Sequence, residues 1–246
     1  MEKQVIEQFT GKQHIYDSGR PYYPETLIEQ LHLPKIIADI GSGTGKLTAS
    51  LLKRGHIVYA VEPNSSMRKK AEENLSHINT FFSVNGSAEK TNLLPNSIDC
   101  ITVAQAFHWF NPELFQKECR RILKKDGEIV LLWNMRKLEN ETNKKWYDIF
   151  KQFCKTFQGF SSGMKKDDEK IKRFFYQGYK TIIEESPIYV TKEQFIHRSL
   201  SSSYSLTKED EKYNLYIDEL ENLFEEYQEN GYLKIENETI AYIGTV

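Results

Sequence analysis

Disulfide chemistry, membrane spans, repeats and an excess of charge are all missing from this chain, and each gap removes a class of protein. Its three cysteines, Cys100, Cys119 and Cys154, are odd in number and widely spaced, with no CxxC pair. That pattern argues against a disulfide framework and for a reducing compartment. No apolar run approaches the roughly 20 residues of a membrane span, and the segment Met1 to Gln8 has no apolar signal core. A cytoplasmic location and no membrane partner are therefore expected. Lys and Arg number 33 against 35 Asp and Glu, for a formal net charge of −2, which gives no footprint for nucleic acid. The pairs Lys144-Lys145 and Lys165-Lys166 are interleaved with acids and read as solvated faces. No His, Cys or carboxylate cluster has metal-ligand spacing, so no metal site is expected.

What is present is concentrated in Ile36-Ile37-Ala38-Asp39-Ile40-Gly41-Ser42-Gly43-Thr44-Gly45-Lys46-Leu47. A β-branched run ends in an acid, glycines follow at alternate positions, and helical periodicity starts with Leu47, Leu51 and Leu52. This predicts strand, tight turn and helix. The glycines let the backbone approach a ligand, and the new helix offers unpaired N–H groups to it. A dinucleotide fingerprint would need glycine where Lys46 stands. A phosphate-binding loop would need glycine at Ile40 and Ser or Thr at Leu47. Both fail, and DxGxGxG remains. A second strand, Ile57 to Val61, ends at Glu62, followed by Pro63-Asn64-Ser65-Ser66-Met67. A carboxylate there can accept hydrogen bonds from both hydroxyls of a ribose.

Strands and helices then alternate as a parallel sheet requires. Thr80 to Val84 and Ile98 to Ala104 are predicted strands. Asn111 and Pro112 open a helix through Leu123, Lys124 to Gly127 turn out of it, and Glu128 to Asn134 is a fifth strand. Trp146, Ile149, Phe150, Phe153 and Phe157 form a packing stripe at helical spacing. Lys180 to Glu185 is a candidate sixth strand, and Thr191 with Gln194 forms a capping box. A long helix striped by Tyr213, Ile217, Leu220, Phe224 and Tyr227 stops near Gly231. The segment Tyr232 to Val246 reads as a hairpin around Glu236-Asn237-Glu238 that ends the sheet antiparallel.

The DxGxGxG turn resembles motif I of the class I S-adenosylmethionine (SAM) dependent methyltransferases, which also place an acid where Glu62 stands. Gly86-Ser87-Ala88-Glu89 resembles the family's adenine-contacting turn. Ala104-Gln105-Ala106-Phe107-His108-Trp109-Phe110 resembles motif IV in the form found in the methyltransferase type 11 group that includes trans-aconitate methyltransferases. Arg121-Ile122-Leu123 with Gly127 to Val130, Tyr16 with Arg20-Pro21-Tyr22-Tyr23-Pro24, Ser201 to Tyr204 and Glu238 to Gly244 extend the likeness over nearly the whole chain. Asn111 departs from the Asp of many relatives and keeps its capping role. The resemblance implies a Rossmann-like, doubly wound α/β fold of seven strands, mostly parallel with a C-terminal antiparallel strand, plus helical cap elements. As a single domain over 1–246 it would comprise an N-terminal cover (1–34), a SAM-binding core (35–134) and a helical insert with the completion of the sheet (135–246).

The resulting expectation is methyl transfer from SAM to a small-molecule acceptor, releasing S-adenosylhomocysteine. The cofactor set is Tyr16, Arg20, Asp39, Gly41, Gly43, Glu62, Pro63, Met67, Ser87, Ala88, Glu89, Ala104 and Gln105. On the acceptor side stand Tyr22, His108, Trp109, Arg136, Arg198 and Tyr204, with His108 and Trp109 as the catalytic candidates. Methyl transfer is an in-line displacement in which orientation does most of the work, so no base is obligatory. A carboxylate acceptor would need a cation, for which Arg20, Arg136, His197 and Arg198 are available. The segments Tyr16 to Tyr23 and Ser201 to Tyr204 are expected to cover the acceptor pocket. A SAM-binding module without catalysis, or a protein or nucleic-acid methyltransferase, stays open as an alternative, with the near-neutral charge weighing against nucleic acid.

Overall fold

The computed structural model describes residues 23–163, 165, 166, 168–202 and 204–246. Strands β1 (Ile36–Ile40), β2 (Ile57–Val61), β3 (Phe81–Val84), β4 (Ile98–Ala104) and β5 (Leu123–Arg136) pair in parallel. Four further strands follow, β6 (Tyr179–Glu185), β7 (Ile188–Val190), β8 (Leu233–Ile235) and β9 (Asn237–Gly244). The main sheet has the order β3-β2-β1-β4-β5-β9-β6, with β9 antiparallel to both neighbours. The result is a seven-stranded, mostly parallel Rossmann-like sheet flanked by helices.

Period-two alternation assigns the two faces. Leu131 and Trp133 of β5 enter one apolar layer with Phe107, Phe115, Ile122 and Phe174. Val130 and Leu132 enter the other with Leu27, Ile37, Leu47, Leu51 and Val58. Helix α1 (Glu25–Gln30) precedes β1, and α2 (Lys46–Lys53), α3 (Ser65–Leu75) and α4 (Pro112–Ile122) lie between the strands. Local chemistry starts them where the sequence indicates. Asn64 accepts from Met67 N, and Asn111 accepts from Leu114 N with Pro112 in the first turn, each satisfying an otherwise orphaned donor. Residues 124–127 loop out of β5 between the pairs Ile98–Leu123 and Cys100–Glu128, with Asp126 at φ 66°.

Four helices complete the chain, α5 (Glu141–Phe153), α6 (Glu169–Phe174), α7 (Lys192–Leu200) and α8 (Tyr213–Tyr227). Thr191 and Gln194 form the expected reciprocal cap of α7. Helices α5, α7 and α8 with β7 and β8 enclose a second core around Trp146, Phe150, Phe195, Tyr216 and Leu220, here called the cap. The chain first enters the cap at Lys137 and finally leaves it at Glu236, returning in between to the main body through α6 and β6. The buried Asn143 amide donates to both carbonyls, at 2.9 and 2.6 Å, and so staples the two crossings.

The expected hairpin over 232–246 is not formed. β8 pairs with β7 in a separate two-stranded sheet, whereas β9 lies between β5 and β6. The reason is burial: Ile240, Ala241 and Tyr242 are all buried, and a strand covered on both faces and both edges needs two long neighbours rather than a three-residue partner. The helical stripe also stops short of Phe157. Helix α5 ends at Phe153, and Phe157 packs from the following turn, 4.8 Å from the Tyr204 ring. Among the described residues no helix is long and apolar enough to cross a membrane.

Candidate functional site

The sheet order reverses between β1 and β4, and in open α/β sheets ligands bind beyond the strand ends at that point. An open cavity lies there, lined by Tyr23, Asp39, Gly41, Ser42, Gly43, Thr44, Lys46, Leu47, Ala104, Gln105 and Asn134. Its three glycines do different work. Gly41 has φ 71°, and a Cβ on it would stand 2.7 Å from Ala106 Cβ. A Cβ on Gly45 would meet Leu75 at 2.8 Å. Gly43, at φ 58°, faces nothing within 4 Å. Two glycines therefore permit packing of the loop, and the middle one opens onto space. Ser42 Oγ is buried in the cavity wall with no hydrogen-bond partner among the described residues, an acceptor and donor available to a ligand.

Two carboxylates hold this loop. Glu62, buried, accepts from Gly43 N at 3.0 Å and from Asn64 N at 2.8 Å, one bond on each oxygen. A carboxylate has about four lone-pair sites, so each oxygen keeps capacity for a hydroxyl. Burial pushes the Glu62 pKa up, against the opposing pull of the Asn64 and Gly43 amides. Asp39 is engaged differently. Its oxygens accept from Thr48 Oγ1 at 2.6 Å and Thr102 Oγ1 at 3.0 Å, tying β1 to α2 and β4. Burial raises its pKa to about 6 despite those two hydroxyls.

Around the rim, Pro63 is partly buried, Met67 and Ala88 are buried, and Ser87 bridges Lys90 in a tight turn. Glu89 accepts from Asn111 N at 3.0 Å, joining that turn to the start of α4. Beyond β4, Gln105 takes φ 57°, an uncommon conformation for a side chain of its size, and donates to Asn134 O at 3.2 Å. A 3-10 turn, Phe107–Trp109, follows. Phe107 is fully buried against Phe110, Phe115, Trp133 and Phe174, whereas His108 and Trp109 are partly exposed with rings 4.7 Å apart. These two residues sit on the turn beyond the cavity and do not line it.

The acceptor candidates divide. Arg136, at the end of β5, lies 4.4 Å from the Trp146 ring and 4.2 Å from that of Phe160. It lines a groove of about 1050 Å³ with Met135, Lys137, Tyr147, Phe160, Lys165, Lys166 and Glu238 among others. Asn134 lines the first cavity and Met135 and Arg136 the second, so the two hollows adjoin along β5. Arg198 is buried on α7, whose Ser199 accepts from Trp146 Nε1 at 3.0 Å. Tyr204 packs edge-on against Phe150 and at a tilt against Phe157 inside the cap core rather than over the cavity. Tyr16, Arg20 and Tyr22 lie outside the described residues. Tyr23, the last residue of the expected Tyr16 to Tyr23 covering segment, is buried in the cavity wall.

Residues 38–131 match the family model of a methyltransferase domain, a span that contains the glycine loop, Glu62 and the β4 turn. An uncharacterized methyltransferase of Mycobacterium tuberculosis is 40% identical over 124 residues, 49% of each chain. One from Schizosaccharomyces pombe is 25% identical over 242 residues, 92% of each chain. The chain spans about half the length (49%) of the first curated relatives it matches. Among solved structures, one named as a type II methyltransferase from Anaeromyxobacter dehalogenans superposes with TM-score 0.60 at 18% identity, covering 92% of this chain and 97% of that one. Another, from Anabaena variabilis and named for an antibiotic biosynthesis pathway, gives 0.58 at 23%, covering 88% and 95%. The matched span carries the likeness to methyltransferases, and the solved structures share the fold.

Near the cavity one participant escaped the sequence reading. Lys170 of α6 reaches back to the β4 turn and donates to the carbonyls of His108 and Phe110, both at 3.1 Å, and of Phe107 at 3.4 Å. Nothing local marks it, since a lysine in a short helix reads as solvated surface. Ser42 and Asn134, both in the cavity wall, were also missed. The alternation of wall and core along β5 offers a signal for Asn134, a polar residue at the end of an apolar strand.

Proposed function

We propose that this chain transfers a methyl group from S-adenosylmethionine to a small-molecule acceptor. The observation that carries the reading is the cavity at the β1/β4 reversal, opened by Gly43, whose amide the Glu62 carboxylate holds. SAM, when bound, supplies an electrophilic methyl group on a sulfonium. The chain's own residues then have defined tasks. Glu62 orients the Gly43 amide and uses its free lone pairs for the ribose hydroxyls. Ser42 Oγ and the loop amides receive the polar amino-acid end, and Met67 and Ala88 provide apolar surface beside the Ser87–Glu89 turn for the adenine. Arg20 and Tyr16 complete this set. Acceptor residues are drawn from the adjoining groove, with Arg136 at its wall, and from the turn beyond the cavity, which carries His108 and Trp109. Holding two reactants in register can supply about 7–11 kcal/mol of barrier reduction, which makes a general base dispensable.

The AQAFHWF sequence of the β4 turn supports a place in the trans-aconitate methyltransferase-like subgroup. The near-neutral charge supports a small acceptor over nucleic acid. The buried, unpaired Cys100, Cys119 and Cys154 support a cytoplasmic location.

The test is calorimetry with S-adenosylhomocysteine. Losing a charged acceptor costs about 1.5–3 kcal/mol per bond, so Glu62→Ala should weaken binding at least about tenfold. Normal affinity in a folded Glu62→Ala protein would remove Glu62 from the site. S-adenosylhomocysteine should raise the melting temperature by mass action, and NAD and ATP should not. Stabilisation by NAD alone would overturn the methyltransferase reading.

A further inference from the structure

The turn that follows β4 is poorly supported by its own main chain. Trp109 N bonds to Ala106 O and Phe110 N to Phe107 O, a single 3-10 turn of modest intrinsic stability, entered from the strained Gln105. Its position nevertheless matters to the cavity. Ala106 Cβ and Phe110 Cζ stand 2.7 and 3.2 Å from where a Gly41 Cβ would be, so the turn closes directly over the glycine loop.

Lys170 supplies the missing support. An ammonium has three N–H bonds to give, and the carbonyls of Phe107, His108 and Phe110 take all three. The same nitrogen lies 5.3 Å from the centre of the Phe107 ring. The lysine is half-buried, which lowers its pKa, with Asp168 and Glu113 the carboxylates whose charge opposes that effect. An exposed lysine near two acids would ordinarily pair with them. Here the ammonium is committed to main-chain oxygen. Its helix is anchored as well: Asp168 caps α6 through Lys170 N at 2.8 Å, Ile171 and Phe174 are buried, and Gln116 of α4 donates to Phe174 O at 3.0 Å.

We propose that Lys170 is a positioning residue, which clamps the Phe107–Phe110 turn over Gly41 and thereby holds His108 and Trp109 beyond the cavity. The functional part rests on the cavity being the SAM site, whereas the clamp itself does not.

Fluorine NMR on protein labelled with 5-fluorotryptophan separates the two. The chain has three tryptophans, and only Trp109 rides on the clamped turn. In the ligand-free protein, Lys170→Met should shift and broaden the Trp109 line while those of Trp133 and Trp146 hold. Lys170→Arg, which keeps the cation and its donors, should restore it. Affinity for S-adenosylhomocysteine should fall about threefold to tenfold in Lys170→Met, the range for a residue acting through a neighbour, and recover in Lys170→Arg. An unmoved Trp109 line in folded Lys170→Met overturns the clamp. So does a general loss of melting temperature in which all three lines move together. If the wild-type protein fails to bind S-adenosylhomocysteine, the cofactor reading falls, and the Trp109 line still decides the clamp.

Discussion

The glycine-loop cavity and the basic groove adjoin at the end of β5, yet they are made of opposite materials. The cavity wall is mostly main chain, glycine and short side chains at the tips of β1 and β4. The groove wall is long side chains, with Arg136, Lys137, Lys165 and Lys166 against Glu139 and Glu238, and the rings of Tyr147 and Phe160. A main-chain wall demands particular residues at fixed spacing, because only glycine tolerates the required φ and the close approach. A side-chain wall can be assembled from segments far apart in sequence, and many residues would serve. The first kind of site carries a motif and the second does not.

The largest effect should come from breaking the cavity at its two kinds of glycine. Gly41→Val places branched atoms where Ala106 already stands at 2.7 Å and forces a β-branched residue to φ 71°. Overpacking and a left-handed conformation together cost about 2–5 kcal/mol, so urea melts should show a severely destabilised or unfolded protein. Gly43→Val meets no protein atom within 4 Å and should lose only the conformational strain, about 1–2 kcal/mol. Binding of S-adenosylhomocysteine should nevertheless vanish in that folded variant. Retained binding in Gly43→Val would show that the open space is not the ligand's seat.

The same contrast explains what was legible in the sequence. The strand–turn–helix at 36–47, the acid after β2 and the caps at Asn111 and Thr191 are local, so spacing alone reveals them. β4 was read to the residue because Ile98, Cys100, Ile101 and Val103, apolar and buried on both faces within seven residues, leave few alternatives. Non-local pairings were hidden. Lys170 lies 62 residues beyond His108, and β9 enters the sheet between strands formed earlier in the chain. Arg136 could be named as a cation, but its stacking on Trp146 and Phe160 depends on how the cap folds. Asp39 falls between these cases. Its place in the motif was evident, and its commitment to Thr48 and Thr102, 9 and 63 residues away, was not.

Asp39 gives the second prediction, of intermediate size. Burial raises its folded-state pKa from 3.8 to about 6, so the folded protein holds this proton more tightly than the unfolded chain. The stability this provides is fully present below about pH 4 and is lost as pH rises through 6. At 1.36 kcal/mol per pH unit the loss amounts to about 3 kcal/mol. Asp39→Asn, which cannot ionise, should lack that decline, and the difference between the two proteins in urea melts should grow between pH 4 and 7. A difference independent of pH would mean that Asp39 stays solvated and that the cavity floor is wetter than its burial indicates. Saturating S-adenosylhomocysteine provides the control, since any ligand confined to the folded state must add stability at every pH where it binds.

The smallest effect is expected in the groove, where it tests whether the two hollows are separate. Arg136→Met keeps an unbranched apolar side chain against Trp146 and Phe160 and removes the charge. Two cation–π contacts at about 0.5–1 kcal/mol each set the loss of stability, a fall in melting temperature of about 2–8 °C on the usual scaling for a domain of this size. Affinity for S-adenosylhomocysteine should stay within about twofold, because mutations that share no partners with a site add independently of it. Asn134, Met135 and Arg136 are consecutive, so a backbone shift could carry the change into the cavity. The pairing of β5 with β9 opposes this: Asn134 faces Thr239 and Arg136 faces Asn237 in one ladder, and Thr239 Oγ1 donates to Asn134 Oδ1 at 2.6 Å. A tenfold loss of cofactor affinity in Arg136→Met would show that this ladder does not insulate the cavity, and that cavity and groove form one continuous site.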